Sequence, residues 1–218
     1  MKDPTRIPQV IAELEQLWAA LPNHSFGDLI SLIGAEFFGD DELPARLAEL
    51  RRQYPVSVRD CAGPCLVATG SHLISLLGTT VVVRRHGQPP GRPATWECTA
   101  VVSGAVGTML RLIDAHEQPR TYGLIESIRP LDAAPIPERL GRKTIGDAVY
   151  LIDVAEDCRV ILARSLWLFE QRRREVATHK HAWHEVHGLR PGENCGVTLP
   201  DGRGELELGV VHRVLKIS

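Results

Sequence analysis

The chain has 218 residues, 44% hydrophobic and 24% charged, with a formal net charge of −2 at pH 7. This is the composition of a globular protein holding one large domain or two to three small ones, and a charge so near neutrality gives no global attraction to nucleic acid. No run approaches the roughly 18 consecutive apolar residues of a membrane span, the opening MKDPTRIPQV lacks the apolar stretch of a signal peptide, and the five cysteines at 61, 65, 98, 158 and 195 are odd in number and scattered, unlike a disulfide framework.

These features predict a reduced, cytoplasmic protein with no membrane partner. Arginine outnumbers lysine by 21 to 4, read here as the mark of a GC-rich bacterial genome. Charge is unevenly spread: residues 1–54 carry 5 basic and 9 acidic side chains, whereas residues 55–140 carry 8 and 7 and residues 141–218 carry 12 and 11. The acidic first segment reads as a module of its own.

Ile7, Val10, Ile11, Leu14, Leu17, Trp18 and Leu21 recur at i, i+3, i+4 and i+7, predicting a helix with one apolar face. Thr5 is its candidate cap, and Pro8 is tolerated only in the first turn. A second helix follows Pro22, capped by Asn23 or Ser25, with Phe26, Leu29, Ile30, Leu32 and Ile33 on its apolar positions. Asp40 or Asp41 opens a third, with Pro44 near its start and Leu43, Leu47 and Leu50 along one face. Asp40, Asp41 and Glu42 read as capping residues at the positive helix end, not as a metal site, because adjacent acids diverge.

The order Asp3-Pro4-x-Arg6-Ile7, Val10-Ile11, Leu14, Leu17-Trp18, Pro22-Asn23, Leu29-Ile30, Phe37-Phe38 and Asp40-Asp41-Glu42-Leu43 resembles the YihD-like family of short bacterial proteins. The resemblance covers residues 1–52, and it implies a small helical domain with no established biochemical activity. The remainder of the chain departs from that family.

Residues 51–60 read as a linker. Cys61-Ala-Gly-Pro-Cys65 has CxxxC spacing without a second pair, so two ordinary thiols are expected and not a zinc site. From Leu73 to Leu131, β-branched runs alternate with turn residues: Thr80–Val83, Trp96–Val102, Met109–Ile113 and Tyr122–Ile128 read as strands, and Ser71–Leu77 as one turn of helix. Helix followed by four or five bent strands predicts a small antiparallel barrel of SH3/Sm-like order. The likeness is one of spacing, since the RNA-holding Asp and Asn of Sm-like proteins are not recognisable.

Asp132-Ala-Ala-Pro-Ile-Pro137 reads as a second linker, with a boundary near 133–143. Beyond it, Leu162, Phe169, Val176 and Trp183 recur every seven residues, with Leu166 beside them. That stripe predicts a long helix over 144–187, projecting at its end as a dimer contact and closed by Gly188 and Pro191. Cys195–Ile217 is expected to hold a hairpin turning at Pro200–Gly204. The fold expected is therefore α+β: a helical module at 1–54, a small barrel at 55–135, and a long helix with a β-hairpin at 136–218.

His179, His181, His184 and His187 fall within nine residues. On a helix, neighbouring pairs would share a face, but there is no HExxH pattern and one helix cannot close a metal shell. Arg84 and Arg85 on the barrel and Arg172, Arg173 and Arg174 on the helix are the candidate phosphate contacts. With aromatics at 5% and Glu170 and Glu175 flanking the run, a solvated, ion-paired face is the simpler reading. No phosphate loop, nucleophile elbow or cofactor motif is present, and only an unselected Cys98–His116 pair is left for nucleophilic chemistry. The expected role is non-catalytic binding or scaffolding through a protein partner or a homo-oligomer. The alternative is an accessory nucleic-acid binder using the barrel and Arg172–Arg174, and a metal-dependent enzyme built on the histidines is a distant third.

Overall fold

A computed structural model of the chain describes residues 6–34, 39, 42–87, 91–131, 135–155, 158–171, 176–200 and 204–218. The chain divides into two compact units, Met1–Pro130 and Leu131–Ser218.

The first unit opens with three helices, α1 (Arg6–Ala20), α2 (Phe26–Ile33) and α3 (Leu43–Gln53). Ser25 caps α2: its hydroxyl accepts from the Asp28 N–H at 3.2 Å, while Asp28 Oδ2 accepts from the Ser25 N–H at 3.0 Å. These reciprocal bonds satisfy helix donors that would otherwise lack partners. Thr5, Asp40 and Asp41, the caps expected for the other helices, lie outside the described residues. Leu17, Leu21, Leu29, Ile33, Leu47 and Leu50 form the helical core. Arg51 Nη1 of α3 reaches Glu13 Oε2 of α1 at 2.6 Å.

Six antiparallel strands then close into a barrel: β1 (Cys65–Thr69), β2 (His72–Leu77), β3 (Thr80–Arg85), β4 (Ala94–Ser103), β5 (Met109–Asp114) and β6 (Pro119–Pro130). Each strand pairs with the next, and β6 returns to β1 with Val67 opposite Ile128. The barrel corrects the expected order of a helix and four or five strands. Ser71–Leu77 is no helical turn; most of it is β2, with Ile74 opposite Val67 on one side and Val83 on the other. Its outward Ser75 and Leu77 are as buried as its inward Ile74 and Leu76. A strand buried on both faces reads as a continuous apolar run, which lacks the alternation that identifies strands.

Two details hold the barrel's ends. Asp114, at the end of β5, is buried; its Oδ1 accepts from the N–H groups of His116 and Gln118, both at 2.9 Å, and its Oδ2 accepts from Arg120 Nε at 2.9 Å. The Gln118 N–H, then the Arg120 guanidinium, hold this carboxyl below the usual range. At the other detail, Val58 N–H donates to Gly104 carbonyl at 2.8 Å and Val106 N–H to Val56 carbonyl at 2.9 Å. A Cβ on Gly104 would lie 3.2 Å from Val58 Cβ, so the missing side chain is what admits this approach.

Among its described residues the second unit contains no long helix. Its strands are β7 (Arg139–Gly141), β8 (Tyr150–Ala155), β9 (Cys158–Leu162), β10 (Leu166–Gln171), β11 (Val176–His181), β12 (Glu185–His187), β13 (Asn194–Thr198), β14 (Glu205–Val210) and β15 (Arg213–Lys216). They make a five-stranded sheet ordered β11-β10-β9-β8-β15 and a four-stranded sheet ordered β14-β13-β12-β7. The protein is mostly β, and the expected layout with a long C-terminal helix is overturned. The seven-residue recurrence has another origin: Leu162 ends β9, Phe169 lies within β10 and Val176 begins β11, so the spacing counts successive hairpin arms. The segments themselves are rich in Val, Ile, Trp, Phe and Thr, residues that fit a pleated surface.

Trp183, assigned to a projecting helix end, is instead fully buried in the core of this unit, with Nε1 donating to Ala163 carbonyl at 2.8 Å. Gly188 terminates no helix either. It follows β12 at φ +68°, and a Cβ there would sit 1.9 Å from the Asn194 carbonyl oxygen. Cross-strand charge adds to the five-stranded sheet: Asp153 Oδ2 accepts from Arg213 Nη2 at 2.6 Å, and Asp153 Oδ1 lies 3.3 Å from Arg159 Nε.

Two outcomes test this fold. Asp114→Asn should lower the thermal midpoint at neutral pH. Because the folded carboxyl titrates below its unfolded value, the wild-type advantage should hold above about pH 4 and shrink as pH falls further; thermal melts of both proteins across pH measure it. Gly188→Ala should destabilise by about 1–3 kcal/mol or more through left-handed strain and a backbone collision, read by denaturant unfolding.

Candidate functional site

Arg84 and Arg85 are neighbours on β3 with different environments. Arg84 is half-buried, its Nε is shielded from solvent, and burial pushes its pKa down to about 10, so it stays charged at neutral pH. Arg85 is exposed and stands opposite His72 in the β2–β3 ladder. Arg172, Arg173 and Arg174 lie outside the described residues.

The histidines do not line a helix. His179 and His181 sit on edge strand β11 with ring centroids 6.5 Å apart. His184 is exposed between strands, and His187 on β12 contacts Glu205 on β14. Among the described residues, no three His, Cys, Asp or Glu side chains converge as a metal site. Cys98 is buried with its thiol directed to the Ala100 carbonyl at 3.3 Å, whereas His116 lies on an exposed turn.

Two features escaped the sequence reading. The first is on α1, whose apolar residues form two adjoining seams that share Leu14. Val10, Leu14, Leu17 and Leu21 face the helical core. Ile7, Ile11, Leu14 and Trp18 have the same 4-3-4 spacing, but only Leu14 of this set packs against that core. Ile7 is 52% exposed, Ile11 58% and Trp18 40%, and Phe26 at the start of α2 is 51% exposed. The Trp18 ring is fixed from two sides: Nε1 donates to His24 carbonyl at 3.0 Å, and the Phe26 ring lies 5.5 Å away. An amphipathic stripe wide enough for two seams was legible in the sequence as one face; the 4-3-4 subset was the available signal.

The second feature is a pocket of about 320 Å³ at the barrel, lined by Val58, Cys61–Cys65, Leu76, Gly78, Cys98 and Val101. The three thiols are its only side-chain heteroatoms. Cys61 is half-buried and Cys65 buried. Pairing with the Cys65 thiol lowers the Cys61 pKa, while the same pairing and burial raise that of Cys65. Burial likewise raises Cys98, and it pushes Cys158 and Cys195 each up to about 11.

No family model matches the chain, and no curated protein matches it. Among solved structures, a DNA polymerase III beta subunit from Thermotoga maritima is similar at 9% identity over 69% of this chain and 57% of its own, with a TM-score of 0.13. A putative DNA polymerase III beta subunit from Eubacterium rectale is similar at 7% identity over 74% of this chain and 61% of its own, with a TM-score of 0.14. The chain thus spans less than two thirds of the length of either neighbour.

The two seams of α1 should separate in stability measurements. Leu17→Ala removes a fully buried side chain and should cost about 2–5 kcal/mol, whereas Ile11→Ser on the outer seam should stay within about 0.5 kcal/mol. Urea unfolding of the two variants beside wild type is the check.

Proposed function

We propose that the chain is a non-catalytic binding protein whose N-terminal helices receive an amphipathic helix with a basic rim from another protein. The observation that carries this reading is the exposed seam of Ile7, Ile11 and Trp18, extended by Phe26. Single exposed apolar residues are ordinary, but a contiguous row at coiled-coil spacing marks an interaction surface. Trp18 has the character of an anchor: a large ring already held in one orientation loses little freedom on binding.

Charge selects the occupant. Between Arg6 and Arg46 the chain has seven acidic residues and no Lys or Arg. On α1 itself Arg6 is the one cation and Arg51 of α3 is already engaged by Glu13, so a second copy laid along α1 would bring Glu15 against like charge, which disfavours self-pairing. A partner helix with lysines or arginines beside its apolar row meets both the shape and the field.

The test uses a fluorescent synthetic helix with leucines at 4-3-4 spacing and flanking lysines, followed by anisotropy against the full chain. Binding should weaken about tenfold, about 1.4 kcal/mol, on Trp18→Ala, and should also weaken with salt. The glutamate-flanked version of the peptide should not bind. Sedimentation in the same buffers reads the competing occupant: concentration-dependent dimers lost in Ile11→Glu, without peptide binding, would replace this reading with self-association. Salt-sensitive binding of labelled single-stranded RNA that survives both substitutions would replace it with nucleic-acid binding.

A further inference from the structure

We propose that Cys61 and Cys65 form a hydroperoxide-reactive dithiol, converted to an intramolecular disulfide at the barrel pocket and restored by an external thiol reductant. Three observations converge on this pair. The two cysteines are four residues apart and both line the same pocket, so their side chains share one cavity. They differ in access: Cys61 is half-buried while Cys65, at the start of β1, is 1% exposed. The pocket they share is lined otherwise by apolar side chains and one further thiol.

That lining also selects the oxidant. A charged disulfide such as oxidised glutathione would leave its carboxylates and ammonium groups unpaired against an apolar wall, a costly burial. A small neutral hydroperoxide, ROOH, meets no such obstacle. Cys61 is the attacking sulfur because it is the more accessible thiol of the pair in that pocket, and pairing with Cys65 favours its thiolate. Attack of the Cys61 thiolate on the distal peroxide oxygen breaks the O–O bond, giving Cys61 sulfenic acid and RO⁻, which takes a proton to leave as ROH. The Cys65 sulfur then attacks the Cys61 sulfur; its proton and the sulfenic hydroxyl leave together as water. The two thiols are oxidised by two electrons and the hydroperoxide is reduced by two. Reduction by a dithiol reverses the bond by thiol–disulfide exchange.

The third thiol does not convert the site into a metal centre. Cys98 directs its S–H to the Ala100 carbonyl, and no three-ligand group is found among the described residues.

The experiment treats the full chain, reduced and freed of reductant, with stoichiometric cumene hydroperoxide, blocks remaining thiols with iodoacetamide, and maps peptides by mass spectrometry. The expected product is a Cys61–Cys65 linkage with Cys98, Cys158 and Cys195 alkylated only after unfolding, and dithiothreitol should remove the linkage. Cys65→Ala should accumulate a dimedone-reactive sulfenic acid at Cys61, while Cys61→Ser should leave Cys65 unoxidised over the same time. Because the wild-type linkage is read directly, a variant that misfolds does not shelter the idea. Sulfinic acid at Cys61 without linkage, a disulfide to Cys98, or earlier oxidation of Cys158 or Cys195 would each overturn it.

Discussion

The ladder between β1 and β6 is the contact on which the first unit depends. It joins the two ends of the barrel sequence, and without it the six strands would be an open sheet with two exposed edges. Closure places Val67, Ile74, Val81, Leu110, Leu112 and Ile125 around one interior. It also fixes the depth of Cys65, which stands opposite Leu76 and Pro130. Pairing that remote in sequence is slow to find and is rewarded only after the intervening hairpins exist. The Asp114 turn ties β5 to β6 through bonds that are local in sequence.

Different forces hold the other parts. The helices keep a small core of six buried residues, and among the described residues their large exposed apolar side chains are Ile7, Ile11 and Trp18 on α1 and Phe26 at the start of α2. The C-terminal strands bury Trp183 and place Arg213, Asp153 and Arg159 side by side across β15, β8 and β9. There a single carboxylate serves two guanidinium groups, an arrangement in which removing the acid would leave two like charges adjacent.

The helices could be read because their signals are local: 4-3-4 apolar spacing, Ser25 before Asp28, Pro44 in a first turn. The barrel strands rich in β-branched residues were legible for the same reason. β2 was not, since burial on both faces erased its alternation, and neither were β8 to β12. In that region hairpin arms of similar length reproduced a seven-residue recurrence, so a periodicity of turns passed for a periodicity of helix. Gly188 carried the same ambiguity, because a positive φ ends helices and opens tight β connections alike. Of the candidate site residues, Arg84 shows why composition was a poor guide: its charge lies largely in the barrel wall. The dithiol was visible only as CxxxC, a spacing that says nothing about whether two sulfurs meet.

Trp18 is exposed on the helices, Trp96 is half-buried against the barrel core beneath Arg120 at 5.3 Å, and Trp183 is sealed inside the second unit. The helices, the barrel and the second unit therefore each carry an indole in a different dielectric. The fourth tryptophan, Trp167 on β10, is half-buried with Lys180 Nζ 5.3 Å from the centroid of its ring, so the protein's intrinsic emission is a sum of four reporters, with Trp18 to the red and Trp183 to the blue. Fluorescence resolved by wavelength during unfolding follows the clusters separately, and transitions that fail to coincide would reveal that the chain melts in pieces.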